Sequence, residues 1–542
     1  MMKIVALPLL SLALVAAAPP GSISPERLSA DTKVLASYEF EGRAPGTRGE
    51  QKTIAWLTTE LQKIGLEPAG PGGKWTQDVP LVNTQLGQGN FSADRTPLAF
   101  GKDVYASTVR PVDRVTIDRA PMVFVGYGVS APERGWDDFK GVDLKGKVAV
   151  ILVNDPDFEA ATGDGSVDKF GGRRMTYYGR WTYKYEEVAR RGAVAALIVH
   201  DTPGAGYGWE TVNASQGENY DIADATGRLA LQGWLHGDAA RRLFADSGLD
   251  LGALRKASRQ ADFKPAELKQ HFSADVPVSV KRVMSSNVLA KLPGATVPDE
   301  YVMYGAHWDA YGVGAPDARG RTIRPGANDD ALGVAGLLDI ARAFKRGPRP
   351  DRSILFGFWT AEERGLVGSE AYAMNPVAPA AKVAANITLD ILNTAGPARD
   401  VMLVGEGQNS LEDELANAAR AQGRMVTPEA LPERGLFYRA DHFPMAKRGI
   451  PTLLLMAISG APNLVKGGRE AGAKWLEGFM KCYHQTCDEW SPALDFDAAA
   501  ADVSLAYEVG RSVSRAGVWP TWSEGSEFRS VREQPRPGER GK

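Results

Sequence analysis

Of the six histidines in the 542-residue sequence, three stand in polar, glycine-flanked turns of its later half, each beside carboxylates. In Tyr304-Gly305-Ala306-His307-Trp308-Asp309 an imidazole leaves an apolar run and an acid follows two positions later. That acid can hold the ring's second nitrogen and fix the tautomer that binds a metal. Gly326-Ala327-Asn328-Asp329-Asp330-Ala331-Leu332-Gly333 is a tight turn that opens a helix, a place from which one carboxylate can bridge two cations. Thr360-Ala361-Glu362-Glu363-Arg364-Gly365-Leu366 directly follows an apolar run, and its adjacent carboxylates point different ways, so one can ligate while the other handles protons. Asn386-Ile387-Thr388-Leu389-Asp390 ends another apolar run with an acid. Ala440-Asp441-His442-Phe443-Pro444 and Cys482-Tyr483-His484-Gln485-Thr486-Cys487-Asp488 supply the other two imidazoles. Each motif alone is an ordinary solvated turn or helix start, where acids suit the dipole. Together they are the donor set of a borderline cation such as zinc, and the chemistry expected is metal-assisted hydrolysis.

These residues need a scaffold that ends several strands at one edge. Strands are predicted at residues 301–304, 354–359, 387–389, 401–404 and 451–456, with helices between them, notably 331–345. Such alternation predicts an α/β fold, a mostly parallel sheet sandwiched by helices, with ligands bound beyond the carboxyl ends of the strands. A helix is also predicted at 49–64, stopped by Gly65. Short β-branched runs at 122–129, 147–153 and 194–199, with a helix at 186–191, predict a β-rich insert. The organisation expected is residues 24–118 as the amino-terminal part of the main domain, 119–265 as the insert, 285–516 as the main part and 523–542 as a polar, disordered tail.

Residues 1–18 read as a secretory signal: Met1-Met2-Lys3, a short apolar run and small residues, which places the mature protein in the periplasm or outside the cell. That run is short for a bilayer span, and no later stretch is long enough, so no stable membrane insertion is expected. With 63 basic and 66 acidic residues, net −3, nothing favours nucleic acid. Cys482 and Cys487 can close a small loop in an oxidising compartment. Arg319, Arg321 and Arg324 form a basic loop that either meets a substrate carboxylate or faces solvent.

Taken in order, these motifs resemble those of the M28 family of zinc aminopeptidases, over most of 287–513 and again from Phe40-Glu41-Gly42-Arg43 to Gly65. The insert, with Val125-Gly126-Tyr127-Gly128-Val129 and Asp137-Asp138-Phe139, resembles a protease-associated domain. The resemblance implies two zinc ions per chain: His307 and Asp390 on one, Glu363 and His484 on the other, Asp329 between them. It also implies that Glu362 is the general base, that His442 hydrogen-bonds the transition state, and that Asp309 supports His307. Only the family pattern places His484, and not His442, among the ligands. Peptide substrates follow, attacked at the amino terminus. A carboxypeptidase of the glutamate-carboxypeptidase type, a single-zinc glutaminyl-cyclase-like enzyme and a non-catalytic binding ectodomain are the competing readings.

Overall fold

The computed structural model describes residues 22–224 and 226–532. The expected signal at 1–18 lies outside them. Four strands, Thr452–Leu455, Val383–Leu389, Val297–His307 and Arg352–Trp359, lie side by side and parallel in that order. Each reads as a nearly unbroken apolar run because both faces are covered. Val302, Tyr304 and Phe356 pack against the helices Leu332–Arg346 and Phe496–Val513, while Met303 and Leu355 turn to the other face, against Tyr372 and Met445. The 49–64 prediction matches the observed helix Arg48–Ile64, capped by Thr47 and ended by Gly65 at φ 82°, a conformation that glycine adopts freely.

The 401–404 strand is present, but it pairs with Met425–Pro428 in a small separate ribbon and is not part of the main sheet. Beyond Arg352–Trp359 the sheet turns antiparallel. Its next member is Ala266–Leu292, a 27-residue strand that sequence reading did not find. Residues 288–292 pair with Arg352–Trp359, and residues 278–288 with Thr76–Leu86. The strand's first half belongs to a second sheet, alongside Arg114–Phe124 and Asn90–Ala93. That sheet continues through Val148–Leu152, Ala195–Val199, Leu231–Leu235 and Val104–Ser107. The second unit is therefore wider than 119–265, because its outer strands come from both flanks of that segment.

Alternate residues fill separate cores on the two faces of the second sheet, Val148 and Val150 on one, Ala149 and Ile151 on the other. Its buried acids are spent internally. Asp155 accepts from the Thr176 amide at 2.7 Å, and Asp157 from the amides of Phe170 and Gly172.

The expected tail from residue 523 is corrected for its first ten residues. Phe528 is 2% exposed in a cluster with Phe437, Tyr438 and Phe443, and Glu527 accepts from Tyr177 N and Tyr438 Oη. One aromatic anchor and one satisfied carboxylate hold a segment that is otherwise polar. Residues 533–542 lie outside the described residues. No described helix is long and apolar enough to cross a membrane.

Candidate metal centre

All the chemistry-bearing turns open at one edge of the main sheet. His307 is the last residue of its strand, Glu362 and Glu363 follow Arg352–Trp359, and Asp390 follows Val383–Leu389. Asp329 sits in the turn before the helix Leu332–Arg346, and His484 just after the helix Gly468–Cys482. These side chains converge into two groups, His307–Asp329–Asp390 and Asp329–Glu363–His484, within each of which the donor atoms lie within 4.8 Å of one another. Asp329 divides its oxygens between them: Oδ1 is 3.2 Å from His307 Nε2 and Oδ2 is 3.3 Å from His484 Nε2. Asp390 Oδ1 stands 4.0 Å from His307 Nε2, and Glu363 Oε2 3.1 Å from His484 Nε2. Glu362 Oε2 lies 3.9 Å from His307 Nε2, beside both groups and outside either.

Among the described residues, His307 Nε2, Asp329 Oδ2 and Asp390 Oδ1 are buried atoms without hydrogen-bond partners. Buried polar atoms are rarely left so, and here they aim at one another. Burial and mutual repulsion push the Glu362, Glu363 and Asp390 carboxyls upward, Asp390 to about 7. Burial works to lower His307, but Glu362, Asp309 and Asp329 outweigh it and hold the imidazole well above its ordinary value. Asp329 is also buried, yet its two imidazole neighbours hold it well below the carboxylate range. A knot of buried acids and imidazoles of this kind is what divalent cations stabilise. The donors are nitrogen and oxygen, three to each group, and fit zinc with room for further ligands.

Asp309 divides its work. Its main-chain oxygen is 3.1 Å from His307 Nδ1 and its carboxylate 3.6 Å, while Oδ1 accepts from the Glu362 amide at 3.0 Å. It thus ties the His307 turn to the Glu362 turn. His442 is fully buried; burial pushes it down to about 3, against the main chain of Phe437, so the ring is neutral. Asp441, beside it, accepts from Ser369 Oγ and is close enough to Glu362 to help raise that carboxyl.

Sequence reading missed three supports. Asp488 accepts from the amides of Asn328 and Asp329, both at 3.0 Å, fixing the shared ligand's turn. Asp330 accepts from the amides of His307 and Gly333. Arg43, fully buried, donates to the carbonyls of Trp308, Leu35, Pro325 and Gly326. The acids stand next to the ligand motifs, which is a usable signal; Arg43 offered none beyond its place in the early motif. Tyr311 stacks near His484, with ring centroids 4.5 Å apart, and lines a cleft with Arg324, Glu363 and His484. Cys482 and Cys487 are joined in a disulfide that encloses His484. Of the basic loop, Arg321 is committed to Asp317 and Glu489, at 2.8 and 3.0 Å, and is not free for a substrate.

A largely parallel sheet with such a centre at its carboxyl edge defines a domain of the zinc metallopeptidase class. Residues 287–507 match the sequence profile of peptidase family M28. Leupeptin-inactivating enzyme 1 of Streptomyces exfoliatus is 28% identical over 225 residues, 41% of this chain and 47% of that protein. A probable lipoprotein aminopeptidase of Mycobacterium tuberculosis is 27% identical over 351 residues, 60% of this chain and 59% of that protein. The chain thus spans less than two thirds of either curated relative. The solved aminopeptidase from Aneurinibacillus sp. strain AM-1 superposes with a TM-score of 0.50 at 20% identity, over 92% of this chain and 95% of that one, which shows a shared fold.

Proposed function

We propose that this chain is an exported two-zinc exopeptidase that removes residues from the amino termini of peptides. The observation that carries the proposal is the division of Asp329, one oxygen toward each of two imidazole-bearing groups 3.2 and 3.3 Å away. A single-zinc cyclase-like centre has no use for the second group, and a binding ectodomain has no use for either. The aminopeptidases among the relatives support attack at the amino end. In this reading His307 and Asp390 hold one ion, Glu363 and His484 the other, and Asp329 both. The disulfide agrees with an oxidising compartment, and the second sheet is read as a protease-associated type of insert.

Bound there, zinc would supply Lewis acidity to the attacking water and to the scissile carbonyl. Glu362, its side chain 11% exposed and outside either donor group, takes the proton from the water and returns it to the leaving amine. Its raised affinity for a proton suits that exchange near neutral pH. Asp309 keeps Glu362 in place through its amide. His442, neutral at every working pH, offers a ring N–H to the oxyanion that develops on the carbonyl oxygen.

The test pairs leucine p-nitroanilide turnover with metal analysis. The wild type is expected to hold about two zinc ions and release p-nitroaniline, and Glu362→Gln to keep the zinc while kcat falls roughly 10²–10⁴-fold. Cleavage confined to carboxyl-terminal glutamyl peptides, or about one zinc with cyclisation of amino-terminal glutamine, would overturn it.

A further inference from the structure

Arg321, Arg324 and Arg364 stand in the chain beside the ligand turns, and two of them are occupied. Arg321 gives its guanidinium to Asp317 at 2.8 Å and Glu489 at 3.0 Å. Arg364 lies over the rings of Tyr311 and Tyr220, 5.1 and 4.9 Å from their centroids. Arg324 has neither kind of partner. It is half-buried, and among the described residues it enters no ion pair and meets no ring. Its two hydrogen bonds, to the carbonyls of Thr322 and Ala315, are both stretched to 3.5 Å and stay within its own hairpin.

That hairpin fixes where Arg324 stands. Gly312–Val313 pairs with Ile323–Arg324, Gly312 opposite Arg324, and Tyr311 leads into the first strand. The far end is tied to the loop of His484, because Asp317 accepts from Thr486 Oγ1 at 2.6 Å as well as from Arg321. Tyr311 packs on the His484 ring at 4.5 Å. Arg324 and Tyr311 thereby line one cleft with Asp329, Glu363 and His484, the second donor group of the metal centre. The acids of this cleft have other work: Asp329 and Glu363 belong to the donor group, and Asp488 accepts from the amides of Asn328 and Asp329. Gly314 leaves the room that the guanidinium occupies, since a Cβ added there would collide with Arg324 Nη1. A cation thus faces the reacting centre with N–H groups to give and no anion of the protein bound to them.

We propose that Arg324 anchors a carboxylate of the substrate beside the second donor group, so that the peptidase favours peptides carrying an anionic group close to the scissile bond. This anchor rests on the peptidase reading above and adds a substrate class to it. The planar fork of arginine meets the two oxygens of a carboxylate with parallel N–H bonds, whereas a neutral amide offers one oxygen and no charge. Two sources supply that chemistry: the free carboxyl terminus of a dipeptide, and an acidic side chain next to the cleaved bond.

The test compares kcat/KM on zinc-loaded protein within matched pairs. Leu-Ala against Leu-Ala-amide reads the terminus. Leu-Asp-amide against Leu-Asn-amide, and Asp-Leu-amide against Asn-Leu-amide, read an acidic side chain after or before the bond. The wild type is expected to favour the anion by about tenfold or more in at least one pair, and that pair names the source. Arg324→Met is expected to bring the ratio close to one, whereas a merely structural loss would lower both members of a pair alike. Gly314→Ala keeps the charge but pushes the end of a flexible side chain out of place, and is expected to reduce the same ratio. A wild-type ratio near one in every pair overturns the anchor, as does a ratio that survives both substitutions. If no amino-terminal peptide is cleaved at all, the peptidase reading fails separately, and calorimetric titration of the same pairs reads the anchor alone. An anion bound about tenfold or more tighter than its neutral partner by the wild type, and not by Arg324→Met, supports it; equal binding or none overturns it.

Discussion

Replacing Arg43 by methionine tests how the centre is held together. The side chain is fully buried and its donors reach four main-chain carbonyls: Trp308 at 2.7 Å, Leu35 at 2.9 Å, Pro325 at 2.5 Å and Gly326 at 2.8 Å. Trp308 follows His307, and Pro325 and Gly326 open the turn of Asp329, so one guanidinium sets the spacing between the two ligand turns. Burial brings Arg43 down to about 10, with Asp309 and Asp488 opposing, and it stays charged at neutral pH. Methionine fills much of the same volume but leaves four buried acceptors, each costing about 1–3 kcal/mol when orphaned. Part of this is returned because a charge is no longer buried, so the net loss expected is about 3–5 kcal/mol. Urea titration in excess zinc and again in chelator reads the stability, and metal analysis after dialysis reads the site. Arg43→Met is expected to lose zinc as well as stability, with Arg43→Lys between it and the wild type. Full zinc retention together with a stability within about 1 kcal/mol of wild type would refute the assignment.

Three further outcomes follow from the geometry. His484→Ala removes a donor from one group only, so metal analysis should find about one zinc retained by His307, Asp329 and Asp390; loss of both or neither contradicts two separable groups. His442 is pushed down by burial to about 3 from an ordinary 6.5, so between those values the unfolded chain binds the extra proton. Its contribution is intact above pH 6.5 and lost as pH falls toward 3. His442→Phe should therefore flatten the acid limb of stability by up to about 1.4 kcal/mol per pH unit, and an unchanged limb counts against a neutral buried ring. Lys184, fully buried in the insert, donates to the carbonyls of Tyr127, Asn154 and Tyr178, and burial brings it down to about 8. Lys184→Met is expected to cost about 2–4 kcal/mol, read as early proteolysis of the insert, and wild-type resistance would refute it.

The sequence by itself determined the donor types, the strand ends that carry them and the alternation that makes a parallel sheet. Those features are local: an apolar run that stops at His307 or before Asp390 is visible in half a dozen residues. The helix at 49–64 was legible for the same reason, with its cap and its glycine written beside it. The tertiary structure decided what depends on partners far along the chain. Arg43 meets Trp308 across 265 positions, and Tyr177 meets Phe443 only because an insert folds back onto the loop before His442. The strand Ala266–Leu292 carries alternating apolar residues, yet its length and its membership of two sheets come from neighbours as distant as Thr76–Leu86 and Arg352–Trp359. Phe528 was read as part of a polar tail because one buried ring anchors a segment whose other residues are hydrophilic. Hydrogen bonds and burial at such separations depend on which surfaces meet, and no short window of sequence encodes that.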